Sequence, residues 1–264
     1  MRSSTSSFAS AALFIASVAA HGHVQTIAVQ GGETYQGWDP AMQYENPRPE
    51  IPAWSADNLD NGFVSPDMYS GPEIVCHKKS EPGQTYVQVQ PGDVVSLTWN
   101  TWPESHKGPI LDYIAPCGDD CTSVDKTSLM WQKMDEGALE SGYDPGTWVT
   151  DDLIANDFTW DVTIPADLAA GKYVIRHEII ALHAAGQPNG AQNYPQCFNI
   201  EVTSDGAATL SPTGGEVATS FYTPEDPGIL FNLYTQFDSY EIPGPSLWSA
   251  LAKVRRHARD FFKL

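Results

Sequence analysis

Apolar and polar residues alternate with a period of two along much of this chain, as expected of strands that bury one face. Phe158, Trp160, Val162 and Ile164 alternate with Thr159, Asp161 and Thr163. Tyr86 to Gln90 and Val94 to Trp99 flank a Pro91-Gly92-Asp93 turn and read as strand, turn, strand. Further strands are expected over His23 to Val29, Leu111 to Ala115, Tyr173 to His183 and Gln196 to Thr203. Helical periodicity is scarce, and the 20 prolines and 21 glycines are dense between the strands. The pattern predicts an all-β fold, an antiparallel β-sandwich of the immunoglobulin or fibronectin III kind. Residues 30–75 and 204–246 are long Pro/Gly/Tyr-rich segments without clear strands. Loops of that length in a compact domain are usually functional.

The two ends depart from this pattern. Residues 1–20 have the zones of a secretory signal peptide: Arg2, an apolar run from Phe8 to Ala20, and small residues at Val18 and Ala20. Cleavage after Ala20 leaves a domain over 21–249 whose first residue is His21. No second apolar stretch is long enough to span a bilayer, so the expectation is a secreted, extracellular protein with no transmembrane segment. At the other end Leu247, Leu251, Val254, Ala258 and Phe261 recur at steps of four and three among basic residues. They suggest a basic amphipathic tail over 250–264, with no role assigned.

The formal net charge is −19. Arg2 and the last fifteen residues carry five net positive charges between them, which leaves −24 on the body. Such a surface repels nucleic acid and anionic membranes and favours a neutral extracellular polymer as partner. In a secreted chain the four cysteines read as two disulfides. Three pairings are possible. Cys117 and Cys121 are close enough to staple one loop, which leaves Cys76 with Cys197. A zinc site fits less well, because no second close cysteine pair accompanies the first.

Cleavage would place an α-amine and an imidazole on the same residue, His21, where they can chelate a metal through Nδ1. The precursor cannot, because its His21 nitrogen is a peptide amide. A further nitrogen is needed, and the candidates are His23, His77, His106, His177, His183 and His257. His106 lies in a Ser-His-Lys-Gly-Pro loop, where it can point freely. His177 and His183 share a parity in one expected strand, and Arg176 and Glu178 beside them read as a buried ion pair. Gln192 and Tyr194 share a face of the next segment. A rival site uses the amine, two deprotonated amides and the imidazole of His23; it needs a flexible N-terminus, whereas Val24, Ile27 and Val29 should pin it.

His21-Gly-His-Val-Gln25, His106-Lys-Gly-Pro109, Arg176-His-Glu-Ile-Ile-Ala-Leu-His183, Gly190-Ala-Gln-Asn-Tyr-Pro-Gln-Cys197 and Tyr240-Glu-Ile-Pro-Gly-Pro245 occur in this order. As an ordered set they resemble the fungal lytic polysaccharide monooxygenases of auxiliary activity family 9, over about His21 to Trp248. The resemblance implies one copper ion, held by the amine and Nδ1 of His21 and by His106, with Tyr194 axial. It implies that His183 and Gln192 hydrogen-bond the oxygen species, and that the bridges are Cys76–Cys197 and Cys117–Cys121. Three nitrogens suit copper(II), which prefers tetragonal nitrogen ligation, and outer hydrogen-bond partners tune such sites.

The activity implied is oxidative cleavage of cellulose or a related β-1,4-glucan at C1 or C4. It would use an external electron donor and O2 or H2O2, and the protein is expected to be a monomer. Tyr35, Trp38 and Tyr240 are the candidate aromatics for lying on pyranose rings, with core packing as the alternative for each. Two other classes remain: a copper-binding wall module without turnover, and a hydrolase using a carboxylate pair. His183 and Gln192 argue against the first, and no acidic spacing singles out a pair for the second.

Overall fold

The computed structural model describes residues 21–251 apart from 60, 205 and 207. The signal-peptide region and the tail from residue 252, His257 included, lie outside the described residues. One sheet has the order β2 (Thr34–Gln36), β1 (Val24–Val29), β4 (Val94–Trp99), β9 (Thr159–Thr163). The second has the order β3 (Val87–Val89), β11 (Gln192–Val202), β10 (Gly171–Ala181), β5 (Ile110–Pro116), β6 (Gln132–Gly137). A small ribbon pairs β7 (Leu139–Ser141) with β8 (Thr147–Trp148), and the short helices α1 (Glu73–Cys76) and α2 (Val149–Ala155) lie in connections.

The all-β sandwich expected from the alternation is present, and its ladders are antiparallel except β3 with β11, which is parallel. The Pro91-Gly92-Asp93 turn does not close a hairpin. It carries the chain from β3 in one sheet to β4 in the other. The alternation in β4 is visible as Val95, Leu97 and Trp99 buried between partly exposed neighbours. β11 begins at Gln192 rather than Gln196, and β10 ends at Ala181, two residues before His183.

The five-stranded sheet is buried on both faces. Inward, Ile114, Ile175, Ile179 and Phe198 meet Ile27, Leu97 and Val162 of the other sheet. Outward, Leu111, Tyr113, Val174 and Ile180 are covered by the long loops through Trp54, Tyr69, Tyr222 and Ile229. The long loops therefore supply a second core layer.

Two buried polar clusters follow from this double burial. Outward, the Arg176 guanidinium makes a bidentate pair with Glu178 at 2.7 and 2.8 Å. It also donates to the carbonyls of Ile74 and Val75 at the end of α1. Glu178 further accepts from Asn193 and Tyr222. Inward, His177 Nδ1 meets Asp112 Oδ1 at 2.7 Å, and Trp99 Nε1 donates to His177 Nε2 at 3.0 Å. Arg176 and Glu178 thus form the buried ion pair expected of them, and His177 is held by structural partners of its own.

The disulfides are Cys76–Cys197 and Cys117–Cys121. The first pins α1 to β11 across 121 residues of sequence; closing so long a loop in the unfolded chain corresponds to about 4–5 kcal/mol in the chain-entropy account. At the C-terminal end Leu247 bridges to Lys133 and Trp248 is buried, so the start of the expected amphipathic stretch belongs to the sandwich. Among the described residues no helix is long and apolar enough to cross a membrane.

Glu178→Ala would leave the buried Arg176 guanidinium without its charge partner. A loss of about 3–5 kcal/mol is expected, read as a lower denaturant midpoint with retained sheet signal.

Candidate functional site

One end of the sandwich gathers His21, His106, His183, Gln192 and Tyr194. His21 directly precedes β1, and its segment is fixed by close backbone approach. A Cβ on Gly22 would lie 2.1 Å from the Thr101 carbonyl oxygen, so the residue between two histidines has to be glycine. His23 N donates to Asn100 Oδ1 at 2.9 Å, and Asn100 N returns a bond to His23 O at 3.0 Å.

His106 comes from the loop between β4 and β5. His106 N donates to Pro103 O, and Trp102 Nε1 donates to His106 O at 2.9 Å. Beyond the histidine, Leu182 N donates to Lys107 O. A Cβ on Gly108 would lie 1.9 Å from Ile180 O. The loop is therefore seated flush on the end of β10, which brings His106 against His183, the two rings stacked with centroids 3.9 Å apart. The His21 ring is 5.4 Å from that of His106 and 5.7 Å from that of Tyr194.

The electrostatics favour neutral imidazoles. His106 is only 6% exposed, and its pKa is pushed down to about 3, by burial first and then by His183 and His21. His183 is shifted down by burial and by His21. A neutral imidazole keeps a lone pair. His106 Nδ1 meets Ser105 Oγ at 3.1 Å, while His106 Nε2 is buried with no hydrogen-bond partner. A buried orphan nitrogen ringed by two more histidines is a donor waiting for an acceptor other than protein. On β11, Gln192 and Tyr194 share a face and are joined directly, the Tyr194 hydroxyl donating to Gln192 Oε1 at 2.7 Å. That leaves the Gln192 amide NH2 as a donor.

The remaining histidine candidates fall elsewhere. His177 is the buried partner of Asp112 and Trp99, and His77 Nε2 meets Gly62 O at 2.8 Å. His23 is buried with Nδ1 held at 2.9 Å by Asn61 Oδ1. Together with the bond from its amide to Asn100, this opposes the rival planar site, which needs both groups free.

The aromatic candidates differ in how far they are tied into the protein, and Trp38 is the one that falls in the core. Trp38 is 5% exposed and donates Nε1 to Ala56 O, so its ring fills the core. Tyr240 packs edge-on to Trp148 and Phe231, with its hydroxyl donating to Gly228 O. Tyr35 lies opposite Ile27 on β1, and its hydroxyl bridges Glu33 and the Gln88 amide. Each polar tip finds a partner within the protein, but only the Trp38 ring is buried; Tyr35 and Tyr240 are partly exposed. Tyr44 and Tyr234 are instead 76% and 52% exposed. Tyr234 sits in a loop tied to the segment after His183, through Phe231 N to Ala185 O and the Asn232 side chain against Gly186. Sequence reading also missed Phe63, whose ring is 6.0 Å from His21 and 6.1 Å from Tyr194. It missed Trp102, which meets both Tyr194 and His106.

A sandwich with a histidine cluster at the head of its first strand defines a narrow class. The sequence profile of Auxiliary Activity family 9 (formerly GH61) matches residues 21–241. The AA9 family lytic polysaccharide monooxygenase F of Malbranchea cinnamomea is 58% identical over 231 residues, covering 88% of this chain and 92% of that protein. The AA9 family lytic polysaccharide monooxygenase A of Gibberella zeae is 52% identical, covering 88% of this chain and 68% of that one. Among solved structures, the extended catalytic domain of H. jecorina LPMO9A superposes with a TM-score of 0.83 at 50% identity, covering 88% and 92% of the two chains. Cel61B from Hypocrea jecorina does so with a TM-score of 0.80 at 42% identity, covering 86% and 100%. The chain belongs to Auxiliary Activity family 9. That family is one of lytic polysaccharide monooxygenases, oxidoreductases of polysaccharide degradation.

Gly108→Ala forces a methyl group into the Ile180 carbonyl, so either the loop or β10 has to move. A cost of about 1–3 kcal/mol is expected, measured by thermal melting, with perturbed NMR shifts at His106 and His183.

Proposed function

We propose that this protein is a secreted, copper-dependent enzyme that cleaves cellulose or a related β-1,4-glucan oxidatively, at C1 or C4 of the glucosyl units. The observation that carries the reading is the buried, partnerless Nε2 of a neutral His106, set against His21 and His183.

The donor set fits copper. His21 and His106 supply two ring nitrogens, and the His21 α-amine supplies a third once cleavage after Ala20 releases it. Three nitrogens match the tetragonal preference of copper(II). Copper bound there would supply one-electron redox chemistry with an external reductant and with O2 or H2O2.

The residues around it have separate tasks. Ser105 Oγ, accepting from His106 Nδ1–H, fixes the tautomer that presents Nε2. His183 and the Gln192 amide donate hydrogen bonds to the oxygen co-substrate. Tyr194, buried and tied to Gln192, would stand beside the copper and keep water from that side. The exposed rings of Tyr44 and Tyr234 join the partly exposed Tyr35 and Tyr240 as candidate platforms for pyranose rings, and the buried Trp38 drops out. A neutral glucan suits the acidic body, which has no attraction for a polyanion.

Copper binding is expected to require the free amine. Protein carrying one extra residue before His21 should bind copper orders of magnitude more weakly by calorimetry. His106→Ala should lose both metal and turnover. His183→Ala should keep the metal while turnover falls about 10–100-fold, as for loss of an outer hydrogen-bond partner. Equal copper loss in both variants would make His183 a ligand and remove the division of roles.

Product chemistry separates oxidation from hydrolysis. On swollen cellulose, copper-loaded protein should release oxidised oligosaccharides by mass spectrometry only with a reductant such as ascorbate, and a chelator should stop it. Unoxidised products formed without reductant and despite the chelator would establish a hydrolase instead.

A further inference from the structure

Two contacts join the residues after His106 to the first turn of α2, and a third ties one of their partners into the helix cap. Lys107 pairs with Asp151. Gly108 N donates to Thr150 Oγ1 at 3.2 Å. The second oxygen of Asp151 accepts from Trp148 N at 2.8 Å, closing the cap at the start of α2. One carboxylate therefore caps the helix and holds the residue next to His106.

The partners are well placed to transmit position. Thr150 is 1% exposed, and the Lys107 and Asp151 side chains are 19% and 27% exposed, so the contact is partly shielded from solvent. On its other side the same loop segment is seated against β10, through Lys107 O and the close approach at Gly108. His106 thus leaves a strip of backbone gripped between β10 and α2. A shift of α2 would be carried directly into the imidazole, because only one bond of chain separates Lys107 from His106.

We propose that Asp151, with Thr150, is a positioning residue for the His106 ligand: α2 acts as the mount that aims Nε2 at the metal. The proposal rests on the copper reading above, but its geometry belongs to residues that touch neither metal nor substrate. It assigns a reason for polar residues in the first turn of α2 beyond capping, since the cap alone needs only one carboxylate oxygen.

The test uses the correctly processed full chain. Asp151→Asn keeps an oxygen to accept from Trp148 N but loses the charge toward Lys107. Thr150→Val keeps the shape of the side chain but loses the acceptor for Gly108 N. The double variant should bind copper about ten-fold more weakly, with altered parameters in the Cu(II) EPR spectrum. In metal-free protein it should exchange the Gly108 amide proton faster. Asp151→Glu, which keeps charge and cap, should restore affinity and spectrum. Lys107→Met removes the ion pair without touching the cap, so it carries the same expectation, in weaker form, if the double variant fails to fold. A lower melting temperature with unchanged affinity, spectrum and exchange would mean a merely structural role and overturn the inference. Wild-type protein that binds no copper would instead overturn the proposed function.

Discussion

A guanidinium with no water around it has to find every partner inside the protein, and Arg176 does so by drawing three parts of the chain together. It reaches Glu178 on its own strand and two carbonyls of α1, while Glu178 gathers Asn193 and Tyr222. Asn193 stands between Gln192 and Tyr194 on β11. The polar network on the outer face thus fixes the register of the strand that delivers two site residues inward. The site is ordered from behind, by a charge it never touches.

The histidine cluster is built from pieces far apart in sequence, each carried to its place by a short-range constraint. Glycine allows the His21 segment to lie against the Thr101 carbonyl, and a second glycine seats the His106 loop on β10. Burial then keeps the His106 and His183 imidazoles uncharged, and with Ser105 at Nδ1 the partnerless Nε2 of His106 is left inside the cluster. A cluster held this way has little freedom to reorganise, which suits the metal site proposed for it.

Much of the sandwich was legible because period-two burial is written residue by residue, as in β4 and β9. The outer core layer was not, because Trp54, Tyr69, Phe221 and Ile229 lie in segments with no period to detect. The same gap misdirected the aromatic candidates: a tyrosine or tryptophan among prolines and glycines reads as exposed, while Trp38 and Tyr240 find carbonyl partners inside. His183, Gln192 and Tyr194 could be placed on faces by parity, but their company with His106 depends on a loop fold that no local pattern specifies. That company came from ordered motifs resembling a family. Arg176 and Glu178 were readable as a pair because two opposite charges amid Val and Ile leave few other outcomes.

The parallel pairing of β3 with β11 has a consequence for how the molecule assembles. Gln88 and Glu201, bonded across that edge, are 113 residues apart in sequence. No local hairpin can form such a ladder, and the chain-closure cost precedes any gain from the contacts. β10 and β11 are neighbours in sequence, whereas β3 reaches β11 only across more than a hundred residues. Because only the four residues Gln90 to Asp93 separate β3 from β4, the pairing of β3 with β11 also ties down β4, against whose end the His21 segment lies. The site therefore depends on both sheets: β10 and β11 bring up His183, Gln192 and Tyr194, and the sheet of β1 and β4 brings up the His21 segment.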